Sequence, residues 1–209
     1  MANQVSTKRV VRVVGLCGSL RKASNNRGLL RAGVIDIRLI SAAMKMCSEK
    51  IIEGMEIEDV DISTLPMLNT DLEVDATFPL VVQTFRQKIL QADAIFFASP
   101  EYNYSLTPLL KNAIDWASRP PNVWADKAAA IVSTQGGGRS WQYHLRQIGV
   151  FLDIHFINKP EFFINGVHGT PQQFDTNGDL IDPVTIQRLK DVLIALRVFT
   201  LRLTNAPSF

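Results

Sequence analysis

Cysteine is scarce in this chain of 209 residues, which has two, Cys17 and Cys47. Two thiols build neither a disulfide framework nor a ligand cluster, so both read as buried free thiols in a reducing compartment. Long apolar runs are missing as well. No segment approaches the roughly 20 residues that span a bilayer, and the polar stretch 1–9 lacks the apolar core of a signal peptide. The expectation is a cytoplasmic protein with no integral membrane segment, peripheral contact with a membrane remaining compatible. Neither sign of charge is in excess: 22 Lys and Arg against 20 Asp and Glu leave a formal net charge of +2. The basic residues gather only briefly, at 8–12, 21–31 and 86–88. That is too little for a nucleic-acid footprint, so no nucleic-acid partner is expected.

Several motifs are absent too. There is no Gly-Lys pair followed by Ser or Thr, as a nucleotide-hydrolysing P-loop requires, and no Gly-x-Ser-x-Gly nucleophile elbow. His144, His155 and His168 show no metal-ligand spacing, and they read as structural or surface residues.

What is present is an alternation of apolar runs and helical-period segments. With 46% hydrophobic and 20% charged residues, the length suits one domain over 1–209, residues 1–8 forming a flexible start. Apolar runs at 10–16, 93–99 and 128–133 read as buried strands, and 55–62 alternates apolar and acidic residues like a strand near a sheet edge. A further candidate, 154–164, is broken by Pro160. Helices are expected over about 26–52, 79–92, 106–118, 141–152 and 184–203. The first is long or interrupted, because 33–40 is rich in β-branched residues. This βαβ pattern is that of a parallel sheet covered on both faces.

The chain is organised around 15–26, Gly-Leu-Cys-Gly-Ser-Leu-Arg-Lys-Ala-Ser-Asn-Asn, which lies between the first strand and its helix. Gly15 and Gly18 allow a tight turn, and Ser19, Ser24, Asn25 and Asn26 offer hydrogen bonds. Arg21 and Lys22 bring positive charge, and the helix points free N–H groups into the loop. Together these make an anion site, although a plain helix cap at Ser24 or Asn25 uses the same residue types. A dinucleotide fingerprint needs a third glycine before the helix and an acid about 20 residues on, and neither is here. A thiol phosphatase built on Cys17 needs an arginine six positions later, where Ala23 stands.

Two more loops carry signal. Pro100-Glu101-Tyr102-Asn103-Tyr104-Ser105 follows the third strand, and Thr134-Gln135-Gly136-Gly137-Gly138 follows the fourth. In a doubly wound sheet of order 2-1-3-4-5 the ligand crevice opens between strands one and three, outside their carboxyl ends. The first loop would then hold a phosphate and the second a flat ring. Tyr102, Tyr104, Trp116 and Trp124 are candidate aromatic walls, with core or interface positions as the alternative.

These residues resemble a known family, the NADPH-dependent FMN reductases of flavodoxin-like fold, and most nearly its plant NAD(P)H:quinone oxidoreductases. The resemblance runs over about 10–203. It rests on Gly18-Ser19-Leu20-Arg21 with Ser24 and Asn26, on Pro100-Glu101-Tyr102-Asn103, and on Gln142-Tyr143-His144-Leu145-Arg146-Gln147. Extra length near 33–41 and an altered loop at 133–141 depart from the family pattern. The resemblance implies a three-layer sandwich with a five-stranded parallel sheet of order 2-1-3-4-5 and helices on both faces. It implies that Ser19, Arg21, Ser24 and Asn26 hold the FMN phosphate and that Pro100, Glu101, Tyr102 and Asn103 border the isoalloxazine, while Ser133, Gln135 and Gly136 cover its other edge. No catalytic acid or base is implied. NADPH or NADH would donate hydride to FMN, a quinone or similar acceptor would then take two electrons, and the chain would form a homodimer or homotetramer. A flavodoxin-like electron carrier without NAD(P)H oxidation is the alternative.

Overall fold

A computed structural model describes residues 9–34, 52–74, 77–134, 139–164 and 172–205. Its parallel sheet contains β1 (Val11–Cys17), β2 (Met55–Val60), β3 (Ala94–Ala98), β4 (Lys127–Ser133) and β5 (Ile154–Phe156) in the order β2-β1-β3-β4-β5. A two-residue strand, β6 (Phe162–Phe163), also pairs with β4. β5 lies in register with Lys127 to Ala129 and β6 with Val132 and Ser133, so the interrupted run at 154–164 forms one sheet position in two pieces. This is the expected flavodoxin-like order. Among the described residues β2 pairs with β1 alone, at the edge, and its alternating acids Glu56 and Glu58 fit that place.

Strand periodicity sorts the core into two layers. Val14, Leu16, Ile95, Phe97, Ala129 and Ile131 face one way, against α2 (Leu80–Gln91), α3 (Pro108–Ser118) and α4 (Ser140–Leu152). Val11, Val13, Cys17, Phe96, Ala98 and Val132 face the other, against α1 (Asn25–Val34) and α5 (Pro183–Thr204). Helices start where capping chemistry allows. Thr107 accepts from Leu110 N–H before α3, and Asp182 accepts from Thr185 N–H before α5, each with proline at the first helical position. α1 is described as far as Val34, and the expected continuation over 35–51 lies outside the described residues, as does the 1–8 start. Among the described residues no helix is long and apolar enough to cross a membrane.

Trp116 and Trp124 belong to this core. Both are fully buried, the Trp116 indole N–H donating to Pro66 O and that of Trp124 to Ile114 O, so the core alternative holds for these two. Beside them Arg86 is buried on α2. Its guanidinium stacks on Phe78 and donates to the carbonyls of Trp116 and Pro121, both at 2.8 Å. Burial lowers its pKa, but an arginine stays charged there. Arg86→Met keeps the apolar stem and deprives both carbonyls of their donor, so it is expected to destabilise the fold by roughly 2–3 kcal/mol. The shift of a denaturant unfolding curve measures this.

Candidate active site

The carboxyl ends of β1, β3 and β4 meet at one edge of the sheet. Pairing of β1 with β3 runs past the strands, Gly18 N–H donating to Ala98 O at 2.9 Å. A Cβ on Gly18 would lie 2.1 Å from Ser99 Oγ and 3.0 Å from Thr107 Oγ1, so the absence of a side chain lets the first and second loops touch. Asn26 ties the first loop to the third, its buried Oδ1 accepting from Thr134 N–H at 3.1 Å. Glu101 Oε2 accepts from Trp141 N–H at 3.1 Å at the start of α4, which joins the second loop to that helix.

The first loop has the donors an anion needs. Ser24 Oγ accepts from Arg27 N–H at 3.5 Å, and Ser24 O accepts from Gly28 N–H at 2.9 Å. Among the described residues this leaves the N–H groups of Asn25 and Asn26, at the positive end of α1, with no acceptor. Ser19 and Ser24 are buried, Ser19 Oγ accepting from Arg21 N–H at 3.3 Å. Arg21 is exposed and has no ion-pair partner among the described residues, whereas Arg27 is paired with Asp59 at 3.3 Å. A phosphate therefore fits this donor set, with Arg21 as the available counter-charge. Cys17 is no rival. Burial pushes its thiol up, outweighing the Ser19 carbonyl that accepts from its Sγ at 3.8 Å and the nearby Arg27, so it stays neutral rather than acting as a nucleophile.

The second loop is a tight hairpin. Tyr102 and Ser105 exchange N–H···O bonds at 2.9 and 3.0 Å, and Asn103 and Tyr104 take φ of 50° and 62°. Left-handed backbone suits asparagine but strains a tyrosine, and such strain gathers at functional sites. Tyr104 is 75% exposed at the tip and Tyr102 49%. Ser105 Oγ lies 3.0 Å from His144 Nδ1, so the exposed His144 steadies the hairpin from α4. Pro100 fixes the exit of β3, its carbonyl accepting from Ser99 Oγ at 2.9 Å.

In the third loop Ser133 is buried, and its Oγ accepts from Gln142 Nε2 at 2.9 Å. Gln142 also donates to Phe162 O at 3.0 Å, fixing β6. Gln135 and Gly136 lie outside the described residues. The structure thus brings Ser19, Arg21, Ser24, Asn26, Pro100, Glu101, Tyr102, Asn103 and Ser133 to one sheet edge, and it ties the side chains of Asn26 and Glu101 to neighbouring loops. Sequence reasoning missed Thr134, His144 and Gln142 as loop ties. The 142–147 motif was the available signal for the last two.

Beneath the first loop, burial raises the Asp59 pKa above that of an ordinary carboxylate, outweighing the opposing pull of Arg27, and its buried Oδ1 has no partner among the described residues. A raised pKa means that the fold favours the protonated acid, so stability is greatest below the unfolded-state pKa. It falls as pH rises from there through the folded-state pKa, then levels off. Asp59→Asn cannot titrate. Chemical unfolding from pH 3 upwards is expected to show the wild-type chain losing stability relative to this variant across that window.

Comparison with known proteins agrees with this geometry. The NADPH-dependent FMN reductase family matches residues 11–169. An NAD(P)H:quinone oxidoreductase of Solanum tuberosum is 62% identical over 95% of this chain and 97% of its own length. An NADPH:quinone oxidoreductase of Arabidopsis thaliana is 60% identical, over 94% and 95%. Among solved structures, FerB, a flavoenzyme NAD(P)H:(acceptor) oxidoreductase from Paracoccus denitrificans, superposes with a TM-score of 0.72 at 29% identity, covering 92% of this chain and 98% of its own. A sheet of order 2-1-3-4-5, the family match over 11–169 and these relatives lead to one conclusion: the chain belongs to the NADPH-dependent FMN reductase family.

Proposed function

We propose that the chain is an FMN-dependent NAD(P)H:quinone oxidoreductase, in which donor and quinone take turns at one pocket by a ping-pong scheme. The observation that carries the reading is the first loop, where α1 amides and the Arg21 side chain, without partners among the described residues, stand beside a strained aromatic hairpin. When bound, FMN would supply the redox chemistry that links hydride from NADPH or NADH to two-electron reduction of a quinone.

The chain's own residues bind and orient. Ser19, Ser24 and the amides of Asn25 and Asn26 hold the phosphate by hydrogen bonds, with Arg21 neutralising its charge. Asn26 and Glu101 keep the three loops in register through their own hydrogen bonds. Pro100, Glu101, Tyr102 and Asn103 border the ring, and Ser133 with Gln135 and Gly136 covers the other edge. Tyr102 and Tyr104, exposed at the mouth, offer apolar faces to a planar acceptor. No side-chain acid or base is assigned to the reaction, and in this reading the protein contributes a preorganised set of dipoles.

The whole chain forms one flavin-binding domain in this reading, and it self-associates as a homodimer or homotetramer. Val150 and Phe151, adjacent at the end of α4, are 84% and 88% exposed, an apolar pair that a partner copy would cover.

Three measurements test the proposal. The purified protein should show a flavin spectrum that NADPH bleaches without oxygen and a quinone restores; a spectrum unmoved by NADPH sinks the reductase reading and leaves an electron carrier. Arg21→Ala should weaken FMN binding by roughly tenfold or more, the scale of one charge-assisted hydrogen bond. Light scattering should give a dimer or tetramer mass, and a monomer mass at every concentration removes the self-association.

A further inference from the structure

The polar stretch that ends before α5 does more than connect. Residues 172–182 form a short hairpin, with Phe174 and Leu180 bridged antiparallel and Ile181 N–H donating to Gln173 O at 2.9 Å. Both bridging side chains are buried in the α1/α5 layer. At the tip, Asp175 Oδ1 accepts from the N–H groups of Asn177 and Asp179 at 2.9 and 2.8 Å, and Gly178 turns back at φ 80°. The far end is fixed where Asp182 caps α5.

This stiff tip rests on the back of the first loop. A Cβ on Gly28 would lie 1.8 Å from Gly178 O, and one on Gly178 would lie 3.0 Å from the carbonyl carbon and oxygen of Ala23 and 3.1 Å from that of Ser24. Backbone thus meets backbone only because both positions are glycine. Arg31, one turn further along α1, donates to Asp179 Oδ1 at 2.5 Å and to Asn177 O at 3.3 Å.

We infer that the 172–182 hairpin is a clamp that aims the α1 N-terminus at the flavin phosphate, with Gly28, Gly178 and Arg31 as positioning residues. The inference rests on the reading of Ser19 to Asn26 as the FMN phosphate cradle. First turns of helices fray, and an anion held by backbone amides loses affinity steeply once those amides lose direction. The hairpin supplies the missing constraint through its backbone contacts at Ala23, Ser24 and Gly28. None of the three residues needs to touch the flavin.

The test separates phosphate from ring. The flavin-free full-length chain is titrated with FMN and with riboflavin, which has the same ring and ribityl chain but no phosphate. Gly178→Ala and Gly28→Ala should each lower the preference for FMN over riboflavin by about tenfold, riboflavin affinity staying within about threefold of wild type. Arg31→Ala leaves both glycines in place and should move the preference the same way by at least about threefold; it decides the matter if the glycine variants fail to fold. Equal losses for both flavins in all three variants would reveal general damage and overturn the inference, as would an unchanged preference. Arg21→Ala runs beside them. If it lowers the preference and the clamp variants do not, the cradle stands and the clamp falls. If it too leaves the preference unchanged, the cradle reading fails and takes the clamp with it.

Discussion

Everything at the functional edge depends on a close approach between two backbones. Gly18 carries the pairing of β1 with β3 one residue beyond the Cys17–Ala98 pair, and Ser99 and Thr107 fill the space a side chain would take. Any larger residue would push Ser99 from the switch point and disturb Thr107, the cap of α3. The first loop and the aromatic hairpin would then part. One missing Cβ sets how closely the first and second loops approach.

Polarity is distributed to match. Ser19, Ser24, Asn26, Ser99, Thr107, Ser133, Thr134 and Gln142 are all buried, and all lie on the carboxyl-end loops or the helix turns next to them. Buried polar groups destabilise a fold unless they are hydrogen-bonded, and here Asn26 is tied to Thr134 and Gln142 to Ser133 across element boundaries, while Ser19, Ser24, Ser99 and Thr107 bond to backbone groups close by. The central strands below them, β3 and most of β1 and β4, are apolar. They supply rigidity from packing, while the polar rim fixes geometry, and the two tasks fall on different ends of the same strands.

Much of this was legible in the sequence because strands and loops advertise themselves by different chemistry. Buried parallel strands such as 94–98 read as unbroken apolar runs, and 18–26 and 100–105 announce their turns through glycine, proline and asparagine. The split at Pro160 was visible as well, since a proline cannot donate to a ladder. Long-range ties were not. Nothing in local pattern says that Asn26 would bond Thr134, that Glu101 would reach the start of α4, or that Gly28 and Gly178 would meet, because each pairing is made by the topology rather than by neighbours in the chain. The tryptophans misled in a simpler way. Their size suits a ring pocket and a core equally, and burial with satisfied indole donors places Trp116 and Trp124 in the core.

The divided fifth sheet position has a meaning beyond the site. A sheet edge offers unpaired N–H and C=O groups to any extended chain that meets it, and a long, flat, apolar edge invites such additions. On one side of this sheet the outer position is cut into a three-residue and a two-residue piece with Pro160 between them. On the other, β2 carries Glu56, Glu58 and Asp59 within six residues. One border is too broken to be copied and the other too charged, so a fold built on a parallel apolar sheet resists growing into a larger one.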